Sequence, residues 1–462
     1  MTHMLLFATI LCALILEGAV LARLILRERF SLLTFSLGLP LAAFVNVLLA
    51  FLLTVTRIPL TPLSLGGVHG ALLGVLLFIE IWKFRSDQCS NGITEHNIYA
   101  EFSVYNFCSY RPAVLLLCSA ILSAVFLSSA AHAVLLPTFQ YDSATNWNMR
   151  SNISFTERRI VFEESRTLGV NKPTYPFLYH ALQVTTSQGQ PRWNDRFANA
   201  AHFFLNWSAI AALFLLAARL RGRTVSALMT TILAGTPLMA VHLGGGFADI
   251  TLVLLSILAL ATLAAGIESR EGRWILLSAF FASAGVWTKT EGFFFLLIPW
   301  LITTMIFQRQ SGLRAPVHAI ILAIVLALPW PVFAVAKGLG LTPHGSGDIA
   351  LVWDPSAPQA LVRALFLDGS FGLLWYTLPV ALFLLIRKRK TLDRRLFPTL
   401  LPGILPLAQT LAIYLFTPNV QYLLNGQSFS RQMLTPLALL ILAAAFLLTP
   451  PIQQEEADRL AY

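Results

Sequence analysis

Charged residues are scarce in this sequence, and their scarcity is the strongest limit on its fold. Asp, Glu, Lys and Arg make up only 12% of the 462 residues, whereas 56% are apolar. Soluble domains contain about 25% charged residues. A chain with half that charge has too little polar surface to cover a globule in water, which excludes a soluble enzyme, a disordered chain and a fibrous repeat. The composition therefore predicts a protein that crosses the membrane several times.

Cysteine is also rare, and acidic residues are outnumbered by basic ones. The four cysteines show no spacing typical of a zinc site, and we interpret them as structural. The 32 Lys and Arg residues exceed the 22 Asp and Glu residues, which gives a net charge of +10. In a soluble protein this excess favours a nucleic-acid partner, but in a membrane protein it reports orientation. We therefore predict a lipid bilayer around the chain and no nucleic acid.

Long apolar runs recur along the whole chain. A helix that crosses a bilayer needs roughly 20 mostly apolar residues. Runs of this kind lie at about 4–26, 31–56, 60–82, 112–135, 198–219, 224–243, 247–267, 273–289, 291–307, 315–336, 369–386, 396–416 and 432–449. The sequence thus predicts an all-α polytopic membrane protein with about 13 transmembrane helices.

The distribution of cations predicts how these helices are oriented. Basic residues gather in the short junctions that follow odd-numbered runs, as at 219–223 and 387–395. Short cytoplasmic loops are enriched in Lys and Arg. The N-terminus is therefore predicted outside and the C-terminus in the cytoplasm, with the first run kept as an anchor.

Three regions are expected. Residues 1–111 form three transmembrane helices and a cytoplasmic loop, 112–310 form a central module, and 311–462 form further helices with outer loops at 337–368 and 417–431. The central module includes a long outer loop, 137–197, predicted to bear short surface helices. Ser154 and Glu157 have capping-box spacing and Gly169 is a helix stop, which predicts an amphipathic helix between them.

Carboxylates and cations from four outer junctions point to one membrane face. Asp142 follows the fourth run, and Asp249 opens the seventh behind a Gly-Gly-Gly sequence. Lys289 joins the eighth and ninth runs, and Arg431 begins the last. Structural alternatives stay open: Asp142 could cap a helix, Asp249 could favour a helix dipole, and Lys289 could form an ion pair with Asp249 or Glu291.

Such a set suits transfer chemistry on a lipid-phosphate substrate. A base removes a proton from an acceptor hydroxyl, and cations, or a metal held by carboxylates, stabilise the departing phosphate. A groove between helices would hold the lipid tail. In the long loop, we interpret Arg150, Arg158 and Arg159 as cations that meet anionic lipid headgroups or solvate the amphipathic helix.

Four short motifs give this pattern a resemblance to a known family. They read YDSATNW at 141–147, KPTYPFL at 172–178, GFAD at 246–249 and KTEG at 289–292. In order, spacing and predicted side they resemble the bacterial GT-C glycosyltransferases, a group that includes protein O-mannosyltransferases and the lipid A aminoarabinose transferase. The resemblance covers roughly residues 112–310. Two departures are the three preceding helices and the lack of a second acid directly beside Asp142.

The resemblance implies a function and roles for individual residues. It implies a bacterial inner-membrane enzyme that moves a sugar from a polyprenyl-phosphate donor to a glycan, lipid or protein acceptor outside, with inversion. The implied residue roles are these: Asp142 as general base; Asp249 as second acid; Lys172, Lys289 and Arg431 at the donor phosphate; Trp147, Tyr175, Glu291 and His242 at the substrates. A divalent metal such as Mg or Mn, if present, is expected on Asp142 and Asp249.

Two other functions remain as alternatives. A flippase or transporter for lipid-linked sugars predicts charged residues near the bilayer midplane and two related halves of the chain, whereas here the charges gather at one face. An O-antigen polymerase or ligase predicts a large, arginine-rich outer loop late in the chain, whereas here it follows the fourth helix.

Overall fold

The computed structural model describes residues 2–90, 112–163, 175–339, 350–390, 392–426 and 428–449, without the side chains of 83–90. Within these ranges the chain is helical and contains no strand. The α-helices are α1 (Thr2–Leu26), α2 (Leu32–Val55), α3 (Pro62–Ser90), α4 (Pro112–Val134), α5 (Met149–Glu157), α6 (Leu178–Ser187), α7 (Asp195–Arg221), α8 (Arg223–Ala234), α9 (Pro237–His242), α10 (Ala248–Ser269), α11 (Gly272–Thr288), α12 (Ile298–Ser311), α13 (Ala315–Ala327), α14 (Pro329–Ala336), α15 (Ala357–Val362), α16 (Leu373–Lys388), α17 (Leu401–Phe416), α18 (Val420–Leu424) and α19 (Phe429–Leu448).

Ten helical stretches among the described residues are long and apolar enough to span a membrane. They coincide with ten of the thirteen predicted runs. The other three runs fall on shorter helices: the pair α8 and α9, then α11, then α16. The all-α membrane fold is therefore confirmed, whereas the count of thirteen stays a prediction. The division into three regions also stays a prediction.

Helix α10 lies at the centre of the bundle. Every residue from Ala248 to Ile267 is buried, and the helix packs against α7, α11 and α19. Its few hydroxyl groups are hydrogen-bonded: Ser256 donates to the Leu252 carbonyl within the helix at 2.7 Å, and Thr251 donates to the Asn206 side chain of α7 at 3.1 Å. Backbone and hydroxyl groups satisfied in this way can lie inside a bilayer. The central helix thus carries Asp249 at its first turn on a rigid support.

Connectivity brings the predicted outer junctions to one end of the bundle. Because consecutive spans alternate in direction, the ends of α4 and α11 meet the beginnings of α7, α10 and α19. The start of α1 lies at this end too, where His3 Nδ1 is 3.2 Å from the Gly189 carbonyl of the long loop. Arg221 pairs with Glu268 at the opposite end. The site residues described below therefore share one end with the long loop.

A buried polar chain joins the three N-terminal helices to the rest of the molecule. Glu17 on α1 contacts His69 Nδ1 at 2.7 Å, and His69 Nε2 lies 3.0 Å from the side-chain oxygen of Asn46 on α2. Thr185 on α6 donates to the same oxygen at 2.8 Å. Side-chain hydrogen bonds thus connect α1, α2 and α3 to α6.

The amphipathic helix predicted from Ser154 to Gly169 is wrong where the structure describes it. Helix α5 ends at Glu157, and Arg158 follows with a positive φ of 55°. Ser154 lies inside α5, and its hydroxyl accepts a hydrogen bond from the Val161 amide at 3.2 Å instead of capping a helix start. Gly169 lies outside the described residues. The loop does contain two short helices, α5 and α6, but every residue of α6 is buried, so this helix does not lie on the surface as predicted.

Candidate active site

Arg431 joins two carboxylates that come from distant parts of the chain. Its Nη1 donates to Asp142 Oδ2 at 2.5 Å and lies 3.8 Å from Asp249 Oδ2. Asp142 follows α4, Asp249 lies in the first turn of α10, and Arg431 lies in the first turn of α19. Three separate junctions therefore meet at a single guanidinium nitrogen.

Lys289 extends this cluster towards Glu291. Its Nζ donates to Asp249 Oδ1 at 2.9 Å and lies 3.2 Å from Glu291 Oε1. The side chains of Lys289 and Asp249 are each only 8% exposed, whereas that of Asp142 is 35% exposed. The ion pairs that the sequence left open for Lys289 are therefore both present. They form the buried part of a cluster whose accessible end is Asp142.

Two π-helical segments follow acids of the cluster in the chain. One, Ser143–Asn148, begins directly after Asp142, and the other, Phe293–Leu297, begins shortly after Glu291. A π-helical turn accommodates extra residues and is frequent at functional sites. Asp142 makes no side-chain capping bond with the segment it precedes. The helix-cap alternative for Asp142 is therefore wrong, because its carboxylate turns to Arg431.

The glycines before Asp249 permit a close approach of the Asp142 segment. A Cβ on Gly245 would collide with the side chain of Gln140, and Gly246 has a φ of +78°, which favours glycine. The Ser143 hydroxyl donates to the Gly245 carbonyl. The Gly-rich loop thus attaches the residues around Asp142 to the start of α10.

Two aromatic residues of the predicted set form one stack. The rings of Trp147 and Tyr175 are 5.4 Å apart and nearly parallel, and Lys289 Nζ lies 5.4 Å from the centre of the Tyr175 ring. Burial raises the pKa of the Tyr175 phenol well above its usual value. Trp147 is only 2% exposed. Its face therefore supports Tyr175 and is not open to a sugar in this structure.

Arg150 was interpreted as a lipid-facing cation, and that interpretation is wrong. Its side chain is buried, with Nε donating to the Val161 carbonyl at 3.0 Å and Nη1 to the Tyr175 carbonyl at 2.7 Å. Burial lowers the pKa of its guanidinium to about 9. Arg150 therefore fixes the backbone of Tyr175. Arg159, by contrast, forms surface ion pairs with Glu157 and Glu163.

His242 lies beside the cluster at the end of α9. Its ring packs edge-on against Phe247, with the ring centres 4.1 Å apart, and the side chain is buried. Burial lowers the pKa of His242 to about 4. The imidazole is therefore neutral at neutral pH. Lys172, the remaining residue of the predicted set, lies outside the described residues.

The described residues do not fit the divalent metal expected on Asp142 and Asp249. Both carboxylates face Nη1 of Arg431, so a guanidinium occupies the position between them. The other carboxylate oxygen of Asp249, Oδ1, is paired with Lys289 Nζ. Across the described ranges, no three His, Cys, Asp or Glu side chains are grouped to hold a metal ion.

Sequence reasoning missed several residues that complete the cluster. The Arg431 guanidinium lies 5.3 Å from the centre of the Phe247 ring, and Gln432 donates to Glu291 Oε1 at 3.4 Å. The buried hydroxyl of Tyr179 has no hydrogen-bond partner among the described residues and faces Gly246. Phe247 lies two positions before Asp249, and Gln432 directly follows Arg431. A phenylalanine or a glutamine at such a position does not by itself indicate contact with a charged cluster.

Comparison with known proteins adds a family match. Residues 176–334 match the model of a family described as dolichyl-phosphate-mannose-protein mannosyltransferase. Two crystal structures of ArnT from Cupriavidus metallidurans are also similar. The form bound to undecaprenyl phosphate has 16% identity, a TM-score of 0.49 and coverage of 73% of this chain and 60% of that chain. For the apo form the values are 16%, 0.47, 72% and 59%.

This chain thus spans about 60% of the length of the ArnT chain. No curated protein matches it significantly. The matched segment begins at the Tyr175-Pro176 element and includes Asp249, Lys289 and Glu291. The family match therefore confirms, for residues 176–334, the resemblance to the GT-C glycosyltransferases that the motifs predicted.

Proposed function

We propose that this protein transfers a sugar from a polyprenyl-phosphate donor to a hydroxyl group on the outer side of a bacterial inner membrane. The family match supports a glycosyltransferase. The grouping of charged residues at one end of the bundle supports chemistry at the membrane surface. The similar ArnT structure was solved with undecaprenyl phosphate, a lipid of the proposed donor class.

The proposal depends most on the hydrogen bonding and the exposure of the Asp142 carboxylate. Its Oδ2 accepts from Arg431, whereas Oδ1 accepts no hydrogen bond from any described residue. Its side chain is 35% exposed and is the most accessible carboxylate of the cluster. A base must lie within hydrogen-bond reach of the hydroxyl it deprotonates. Asp142 has an oxygen free for that contact and a second oxygen that holds it in place.

Arg431 has the capacity to bind the donor phosphate as well. Only Nη1 contacts the two acids, and Nε and Nη2 make no hydrogen bond with the described residues. A guanidinium can offer two parallel N–H groups to a phosphate. Arg431 would thus place the leaving group beside the base. Lys289 is assigned to the same phosphate as a neighbouring positive charge, and the family resemblance assigns Lys172 to it as well.

The proposed step breaks one bond and forms another. Asp142 takes the proton of the acceptor hydroxyl while the oxygen attacks the anomeric carbon from the face opposite the phosphate. The bond from the anomeric carbon to the phosphate oxygen breaks, and polyprenyl phosphate leaves with the electron pair. Attack from the opposite face inverts the anomeric configuration. Arg431 stabilises the charge that develops on the phosphate.

Asp249 and Glu291 have a supporting role in this proposal. Both are paired with Lys289 and are largely buried. A buried carboxylate in an ion pair is a poor base for an external hydroxyl, but it can orient cations and sugar hydroxyls. Tyr175 lies against Lys289, and His242 packs against Phe247 beside the cluster. We assign both to substrate contact, with Trp147 as the support of Tyr175.

The orientation follows from the cation distribution, with the N-terminus outside and the C-terminus in the cytoplasm. This orientation places the cluster on the periplasmic side. The acceptor is a glycan, a lipid or a protein. A flippase for the same lipid-linked sugar would move its substrate without a base.

Replacement of Asp142 by Asn separates transfer from transport. A strain that lacks the protein is complemented with the wild-type or the Asp142→Asn chain, and envelope glycans and lipid-linked sugars are measured by mass spectrometry. The variant should lose the glycan product and accumulate the sugar donor. Asp354→Asn, a change at an exposed outer-loop acid, is the matched control. Normal product from Asp142→Asn would refute the catalytic assignment.

A further inference from the structure

A cavity of about 460 Å³ opens on the long outer loop, outside the charged cluster. Its lining comes from the segment after α4, from α5, and from the first residues of α7 with the two residues before them. These residues are Pro137, Thr138, Asn152, Trp193, Asn194, Asp195 and Arg196. Binding sites for small molecules have volumes of about 300–1,000 Å³. The cavity is therefore large enough for one or two sugar rings.

The lining combines one aromatic face with many hydrogen-bonding groups. Trp193 offers its indole, while Asp195 Oδ2 and the Asn152 side chain make no hydrogen bond with described residues. Arg196 likewise forms no ion pair with the described part of the chain. Asp195 and Arg196 carry opposite charges, so the lining of the cavity has no net charge. Apolar faces ringed by both donors and acceptors match a pyranose, which has C–H faces and hydroxyl edges.

The aromatic face is held in a fixed position. Trp193 Nε1 donates to Asp195 Oδ1 at 2.5 Å, and the ring of Phe155 lies 5.9 Å from the Trp193 ring. Asn194 caps α7 by accepting from the Arg196 amide at 3.0 Å. A side chain held before binding loses little entropy when a ligand arrives.

The cavity also lies close to Asp142 along the chain. Thr138 precedes Asp142 by four residues, and four residues span at most about 14 Å. The Thr138 hydroxyl accepts from Asn148 at 3.2 Å and from Asn199 at 2.9 Å, which fixes this segment to α7. Thr138, which lines the cavity, therefore lies within about 14 Å of Asp142, a distance comparable to the length of a saccharide of two or three rings.

We propose that this cavity is the acceptor subsite and that it binds a saccharide ring of the acceptor by stacking on Trp193. The inference rests on the proposed function and names the acceptor as a glycan-bearing molecule. The competing explanation is that Trp193 is one of the aromatic residues that anchor membrane proteins at the interface. Trp353, an exposed tryptophan of another outer loop, provides the matched control for that explanation.

The first test is kinetic. Trp193→Ala should raise the acceptor KM by about tenfold, which corresponds to about 1.4 kcal/mol, and should leave kcat and the donor KM unchanged. Trp193→Phe should restore most of the affinity, and Trp353→Ala should have no effect. A soluble oligosaccharide and a glycolipid with the same glycan should be affected equally if the ring is recognised. An unchanged acceptor KM, or equal effects of Trp193→Ala and Trp353→Ala, would overturn the proposal.

The second test does not depend on transfer activity. Saturation-transfer NMR measures binding of chitobiose, mannobiose and maltotriose to the purified protein in detergent. At least one should bind the wild type and Trp353→Ala at millimolar concentration, and Trp193→Ala should lose that binding. If none binds the wild type, or if Trp193→Ala retains binding, the subsite is refuted. If the wild type binds saccharide through Trp193 but transfers no sugar, the saccharide site stands, whereas the proposed function and the acceptor role of the site fail.

Discussion

Asp142 and Arg431 lie 289 positions apart in the chain and share a hydrogen bond of 2.5 Å. Arg431 lies in the first turn of α19, the last described helix, so Asp142 gains its hydrogen-bond partner from a late part of the chain. The same guanidinium nitrogen contacts Asp249, which belongs to the segment with the family match. The pair therefore links the matched segment to regions on both sides of it.

Asp142→Asn should lower sugar transfer at least about a hundredfold, since a positioned base contributes about 10²–10⁴-fold to the rate. Binding of the donor should change little, because Arg431 remains in place. In vitro transfer with purified protein measures the rate, and displacement of a labelled polyprenyl phosphate measures binding. Asp354→Asn should behave as the wild type in both assays.

Arg431→Lys should weaken donor binding as well as transfer. A lysine ammonium retains the charge but cannot contact both acids and offer two further N–H groups to a phosphate. We expect the donor KM to rise about tenfold or more, which corresponds to about 1.4 kcal/mol. Arg363→Lys, at an exposed ion pair with Asp368, is the control. A donor KM equal in both variants would remove Arg431 from the phosphate site.

Lys289→Met should destabilise the protein, because it leaves Asp249 and Glu291 buried without their shared cation. Removal of one partner from a buried ion pair costs about 3–5 kcal/mol. Thermal unfolding in detergent should show a clear fall in Tm. Lys337→Met, at an exposed lysine, should leave Tm unchanged. A Tm equal to the wild type would show that the cluster tolerates unpaired charge.

His242 gives a predicted dependence of stability on pH. Its pKa in the folded protein is about 4, because burial disfavours the charged ring, whereas an unfolded histidine has a pKa near 6.5. Between these values the unfolded chain binds more protons, so the His242 contribution to stability is complete above about pH 6.5 and falls as the pH drops towards 4. His242→Asn should therefore reduce the difference in Tm between pH 7.5 and pH 4.5. An unchanged difference would contradict this prediction.

The intramembrane pair of Glu17 and His69 should show strong coupling. His69→Leu leaves the carboxyl of Glu17 buried without its imidazole partner, and Glu17→Leu leaves His69 with Asn46 as its remaining partner. Each single change should destabilise the fold more than the double change does, since breaking a buried pair is worse than removing it. Thermal melts of the two single variants and the double variant measure the coupling. Additive losses would show that the contact has no energetic weight.

The sequence predicted much of the fold because its signal is local. Long apolar runs indicate membrane spans one at a time, and connectivity then brings alternate junctions to one end. The shorter helices α11 and α16 blur this signal, since 17 and 16 residues lie near the lower limit for a span. The predicted count therefore exceeds the number of long apolar helices described.

The site residues were predictable where charge is rare and less predictable where partners matter. Asp249, Lys289 and Arg431 stand out because a charged residue at an apolar helix end has few explanations. The buried position of Arg150 was missed, because its carbonyl partners at Val161 and Tyr175 depend on how a loop folds back. The end of α5 was missed for a similar reason, since Ser154 bonds to Val161 across a turn.

The enclosure of α10 has a consequence for biogenesis. This helix contacts protein on all sides from Ala248 to Ile267, yet two of its neighbours, α11 and α19, are synthesised after it. During synthesis its surface must therefore be shielded by α7, by lipid or by the insertion machinery until those helices arrive. Truncation of the chain before α19 should leave a chain that membrane-protein quality control degrades, even though every residue of the matched family segment is present.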